Sequence, residues 1–218
     1  MFEMKVDLKE YGHPDVNLPV DPELSRLAAW LPNYFADEVR KGIRFEAEQT
    51  IQLGWSLLKL GSTTDGNLIA LEPDYETMPV RWVLGVSRTI RLLALQRAVC
   101  DECQVEPNFP SIQHAASLPE MVPPADHFTM VRTDPQGNLS GWTIHEGRDV
   151  AMRLMSLYEV AIFNRAIIPL LALPVGSIVE RNCKSLSISI DGKQYSNSSS
   201  ELLFLIANEE PFDRLLTI

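Results

Sequence analysis

Ser185-Leu186-Ser187-Ile188-Ser189-Ile190-Asp191-Gly192-Lys193-Gln194-Tyr195-Ser196 decides the fold class of this chain. Leu186, Ile188 and Ile190 occupy every second position and so share one face of an extended strand. Asp-Gly is the dipeptide favoured in tight hairpins, where the turn asks for positive φ. The stretch therefore predicts a strand to Ile190, a turn at Asp191-Gly192 and a return strand over Lys193 to Ser196. Antiparallel pairing of short strands is the theme that the rest of the chain must extend.

Working back from this hairpin, Phe128 to Arg132 and Ser140 to Ile144 read as two more short strands around the turn Asp134-Pro135-Gln136-Gly137-Asn138. Val150 to Asn164 carries apolar residues at helical spacing, and Ile167 to Leu173 is an apolar stretch that Pro174-Val175-Gly176 turns out of. Further back, Val83 to Val99 predicts a well-buried helix. Leu24, Leu27, Ala28 and Leu31 predict an amphipathic helix that starts at Pro22 and ends near Pro32. Ile51, Leu53, Trp55 and Leu57 share a parity that predicts one strand, returning after Thr64-Asp65-Gly66-Asn67 through Leu68 to Leu71. Beyond the hairpin, the polar run Ser196 to Ser200 precedes a last apolar segment, Leu202 to Ile206. Helices interspersed with short, mainly antiparallel strands make the expected class α+β.

The expected organisation has four parts. Residues 1–22, rich in Pro, Gly and Asp, read as an extended arm, 23–103 as a first α+β lobe, 104–127 as a proline-rich connection and 128–218 as a second lobe. The connection holds Pro107, Pro110, Pro119, Pro123 and Pro124, and long structureless connections are uncommon inside one compact unit. Gly54-Trp55 and Gly141-Trp142 lie 87 positions apart, as do Glu72 and Glu159, which would make the two lobes similar. Three coincidences leave independent origin the stronger reading. A tryptophan beside a glycine reads first as core, with interface anchoring second.

Composition narrows the function. The 218 residues carry 19 basic and 29 acidic side chains, a formal charge of −10, which argues against a nucleic-acid partner and suits a basic protein partner. The N-terminus has acids and no apolar core of a secretory signal, and the apolar run from Ala166 to Val175 is interrupted by Pro169 and Pro174. Three cysteines make no disulfide framework. A cytoplasmic setting without membrane attachment is the expectation.

Chemistry-bearing patterns are few. Cys100-Asp101-Glu102-Cys103 has the spacing of a zinc half-site or redox pair, but there is no second cluster and two acids separate the sulfurs. Cys183, His13, His114, His127 and His145 lack ligand spacing, so no metal is expected. Gly85-Val86-Ser87-Arg88-Thr89 approaches a nucleophile elbow without its final glycine and lies in the helical stretch. His145-Glu146-Gly147-Arg148-Asp149 lacks the second histidine of a metalloprotease helix. No phosphate-binding glycine pattern is present, so no nucleotide cofactor is expected. The acids Glu72, Asp74 and Glu76, alternating in an extended segment, fall on one side; a solvated turn explains them first, a surface for a basic partner second, acid–base catalysis last. With Tyr75 as an aromatic anchor, these four residues are the expected partner contacts.

Ser140-Gly141-Trp142, Ser156-Leu157-Tyr158-Glu159 and Ile167-Ile168-Pro169-Leu170-Leu171-Ala172-Leu173-Pro174-Val175-Gly176-Ser177 together resemble the thirty-third numbered family of polymorphic-toxin immunity proteins. The likeness covers roughly residues 128–183. This chain departs from the family's acidic pattern after the Ser-Gly-Trp strand, where it has His145-Glu146-Gly147-Arg148-Asp149. The resemblance implies a non-enzymatic immunity protein whose partner is a cognate toxin or effector, blocked by stoichiometric binding; it brings no catalytic residue and no cofactor. Rival expectations are a hydrolase using carboxylates or Ser87, and an adaptor of a secretion system.

Overall fold

The computed structural model describes residues 2–147 and 151–208. The chain is α+β and divides into two compact units, residues 1–93 and 94–218, with the boundary inside a helix. The first unit contains β1 (Phe2–Val6), β2 (Val16–Val20), α1 (Ser25–Ala28), α2 (Leu31–Arg40), β3 (Thr50–Leu53), β4 (Ser56–Ser62), β5 (Leu68–Asp74), β6 (Arg81–Leu84) and the start of α3 (Ser87–Glu102). Its six-stranded sheet runs β1-β2-β5-β4-β3, with β6 pairing with β5. All pairings are antiparallel except β2 with β5, where Val16 lies beside Leu68.

Three expectations for this unit need correction. Residues 2–20 are not an arm: β1 and β2 pair along their whole length, and Val16, Leu18 and Val20 are buried. Pro32 opens α2 rather than closing a helix, because a proline in the first turn loses no hydrogen bond and its fixed φ suits a helix start. Trp55 does not continue a strand. Gly54, at φ +62°, turns the chain between β3 and β4 and leaves Trp55 buried at the corner.

The second unit holds β7 (Ala115–Pro119), β8 (His127–Arg132), β9 (Leu139–His145), β10 (Met152–Ser156), α4 (Leu157–Phe163), β11 (Ile178–Asn182), β12 (Ser185–Ile190), β13 (Lys193–Ser196) and α5 (Glu201–Ala207). They form a seven-stranded sheet in the order β10-β7-β9-β8-β11-β12-β13, antiparallel except for β7 with β9. Alternation does the work that the hairpin predicts. Phe128, Met130 and Arg132, Trp142 and Ile144, and Leu186, Ile188 and Ile190 all sit on the buried face. Residues 104–127 are not only a connection, since β7 is the second strand of this sheet. The helix expected from Val150 to Asn164 begins later: Val150 lies outside the described residues, 152–156 is strand, and Ser156 starts α4 in a capping box with Glu159. Both sheets contain a run of one parallel pairing flanked by antiparallel ones, β1-β2-β5-β4-β3 and β10-β7-β9-β8-β11. The 87-residue offset, however, pairs the start of β4 with β9, which hold different places in that run.

Candidate partner-binding site

The acidic segment ends β5 and enters the turn before β6. Glu72 and Asp74 point inward, 3% and 2% exposed, and Tyr75 is buried at 6%; Glu76 is exposed. Glu72 sits beneath the first turn of α3, where its two carboxylate oxygens accept the backbone N–H groups of Arg88 (3.1 Å) and Thr89 (2.7 Å). Helix N-termini leave such donors unsatisfied, and an anion there is favoured by the helix dipole. Burial nonetheless pushes the Glu72 carboxyl above its ordinary range, against those donors. Asp74 accepts from Arg81 Nε (3.1 Å) and Nη2 (2.5 Å) and from Arg88 Nη1 (2.9 Å). The Arg81 hydrogen bonds, helped by Arg88, hold its carboxyl below the usual value despite desolvation.

Tyr75 stacks on Trp55 with ring centroids 5.4 Å apart, and its hydroxyl lies 2.7 Å from Ser56 Oγ, which is itself 3.3 Å from Thr89 Oγ1. The expected contact set thus divides by burial. Glu72, Asp74 and Tyr75 are sealed inside the first unit as the fastening of β5, β6 and α3, which corrects their expected role as direct contacts. Glu76 alone of the four presents its side chain to solvent, its backbone N–H donating to Asp74 Oδ1 at 3.3 Å.

The second unit has a fastening of opposite sign, which the sequence reading missed. Arg132 is 2% exposed, and its Nη1 donates to the carbonyls of Asn108 (2.6 Å), Leu171 (3.1 Å) and Leu173, while Nη2 donates to Asn108 Oδ1 (3.0 Å). Its guanidinium carbon lies 5.4 Å from the Trp142 ring centroid, and Trp142 Nε1 donates to the same Leu171 carbonyl at 3.1 Å. Burial lowers the Arg132 pKa to about 10, so it stays charged at neutral pH. Gly141 has φ +82°, and a Cβ there would lie 2.1 Å from the Thr133 carbonyl oxygen; glycine is required for that approach. Ser140 Oγ donates to Ala115 O at 2.9 Å. Ser-Gly-Trp is therefore a packing motif that ties β9 to β7 and to the apolar segment through Leu173. The parity of Phe128, Met130 and Arg132 was the available signal for the buried arginine.

The remaining candidates have structural partners. Ser87 Oγ accepts the backbone N–H of Asp21 at 2.8 Å. Cys100 and Cys103 are buried, each thiol pushed up to about 12 by burial, and Cys100 Sγ donates to Ala172 O at 3.5 Å. His13 is buried between the Phe45 N–H, which Nε2 accepts at 2.9 Å, and Pro14 O, 2.6 Å from Nδ1. Among the described residues no group of three or more His, Cys, Asp or Glu could hold a metal ion, and no helix is long and apolar enough to cross a membrane. Of the segment His145 to Asp149, Arg148 and Asp149 lie outside the described residues.

Residues 95–184 match the model of the Imm33-like domain. Over that segment the chain is similar to immunity-protein family 33, and the match contains all of residues 128–183, where the motifs resemble that family. It lies wholly in the second unit and takes in β7 through β11, five adjacent strands of the sheet. The β12–β13 hairpin, α5 and the whole of the first unit fall outside it. None of the curated proteins and none of the solved structures compared matches the chain.

Proposed function

We propose that this chain is a cytoplasmic immunity protein that neutralises a cognate toxin by stoichiometric binding and turns over no substrate. The match of residues 95–184 to the Imm33-like domain carries this reading. The net charge of −10 supports a basic toxin as the partner, since long-range attraction speeds encounter between opposite charges. The contact proposed in the first unit is the outer surface of the β5–β6 turn. Glu76 touches the toxin there, while Glu72, Asp74 and Tyr75 hold the turn in place from beneath. The partner set by this reading is a protein; no nucleic acid, membrane, metal or cofactor enters it.

Copurification with the product of the adjacent reading frame tests the function. A stable one-to-one complex is the expected result; a neighbour that never associates, together with turnover of a small molecule by the purified chain, would sink it. Glu76→Lys tests the contact. Binding should weaken about tenfold through a slower association rate, while the melting temperature barely moves, as for most surface substitutions. Full-strength binding by that variant removes the turn from the interface.

A further inference from the structure

The seven-stranded sheet buries one face and leaves the other open. One cross-strand row on the open face takes a residue from every strand: Leu154, Ser117, Thr143, Val131, Ile178, Ser189 and Gln194. None is charged, and Leu154 and Ile178 are 62% and 41% exposed. At the described open-face positions of the seven strands only Glu180 carries a formal charge, in a protein with 22% charged residues; the exposed Arg153 and Lys193 occupy edge-strand positions in register with the buried face. Depletion of charge, with exposed aliphatic side chains, is the mark of an interface centre rather than of a solvated face.

We infer that this face is the interface of a symmetric dimer, two copies stacking sheet on sheet. The chain as a whole is strongly acidic, so two copies repel everywhere except where neither presents charge. The same neutrality makes the face a poor match for a basic toxin. The cross-strand register supplies the complementarity. A two-fold axis along β8, the central strand, lays each row on its own image, so Val131 meets Val131. Glu180 on β11 and His145 on β9 share the row of Thr129, on either side of β8. The one carboxylate therefore falls opposite an imidazole of the other copy and not opposite itself. Seven strands about 4.8 Å apart, each giving about 16 Å of length, offer on the order of 500 Å² per copy. The total of about 1,000 Å² is just enough for a specific interface, which sets the expected affinity in the micromolar range.

This inference does not rest on the immunity reading, and sedimentation equilibrium of the full chain tests it alone. Wild type should pass from monomer to dimer between about 1 µM and about 100 µM. Val131→Glu and Val131→Lys, each checked for native circular dichroism and melting, should self-associate at least about a hundredfold more weakly, because like charges then meet on the axis. An equimolar mixture of the two should recover the dimer. Thr143→Lys, one strand away, gives the same loss should the Val131 variants fold poorly. A wild-type chain that stays monomeric across the range, or folded variants that associate as wild type does, overturns the proposal.

Discussion

The first unit buries carboxylates and the second buries a guanidinium, and each uses the buried charge to fasten a neighbouring segment to its sheet. In the first, Glu72 caps α3 and Asp74 grips Arg81 and Arg88, two arginines whose side chains reach solvent at 67% and 46% exposure. In the second, Arg132 faces three carbonyl oxygens and a tryptophan ring, with no carboxylate among its hydrogen-bond partners. The difference matters energetically. A pair with exposed partners is screened and adjustable, whereas a cation solvated only by fixed carbonyls depends on every one of them. The second arrangement lies inside the segment shared with the Imm33-like domain; the first lies outside it.

The largest effect should come from breaking the second fastening. Arg132→Met keeps an apolar chain against Trp142 but leaves the carbonyls of Asn108 and Leu173 without the arginine's donors, and that of Leu171 with Trp142 Nε1 alone. A loss of about 2–5 kcal/mol is expected in urea unfolding, since each buried carbonyl left without a donor costs about 1–3 kcal/mol. A thiol reagent gives an independent readout. In the native wild type it should modify the exposed Cys183 and spare Cys100 and Cys103. In the variant Cys100, whose Sγ donates to Ala172, should become reactive at a measurable rate. Unchanged unfolding and an unreactive Cys100 would mean that the arginine is a passenger, and the contrast between the units would fail.

Asp74→Asn should cost less, about 1–3 kcal/mol, because hydrogen bonds to charged groups are lost but both arginines can turn to water. The pH dependence sharpens this. The Asp74 carboxyl is held below its ordinary value, so its contribution is present at neutral pH and disappears as pH falls through that lowered value. Wild type should therefore lose stability on the acid side of the usual carboxylate range, and Asp74→Asn should lose less there. Equal acid sensitivity in the two proteins would remove the Asp74 pairs from the account.

What the sequence made legible follows the range of each interaction. The Asp191-Gly192 hairpin, β8, β9 and most of α3 rest on periodicity within a few residues, and they form as read. The β1–β2 pair escaped notice because Pro14, Asp15 and Pro19 read locally as a loop, while the pairing that secures β2 is parallel to β5, with Val16 beside Leu68. Apolar spacing also blurred β10 into α4, although Ser156 and Glu159 spell the capping box that separates them. The acidic segment was half legible. Alternation put Glu72 and Asp74 on one side, but only Arg88 and Thr89, brought in by the fold, decide that this side is interior. The open sheet face was legible in no single segment, since it exists only across seven strands in register.

The smallest expected effect separates the two acids of the first unit from each other. Glu72→Gln keeps the size of the side chain, but the amide offers one oxygen to the two N–H groups of Arg88 and Thr89, and its NH₂ meets the second donor. The loss of a helix cap is about 0.5–2 kcal/mol. The sign of the pH dependence is opposite to that of Asp74. Burial raises the Glu72 carboxyl, so the native state holds its proton over a window where the unfolded chain has released it. Within that window, from the ordinary glutamate value up to the raised one, wild-type stability declines as pH rises, and the variant should show a flatter profile. Should Glu72→Gln instead steepen that decline, burial is not the dominant influence on this carboxylate, and the capping hydrogen bonds outweigh it.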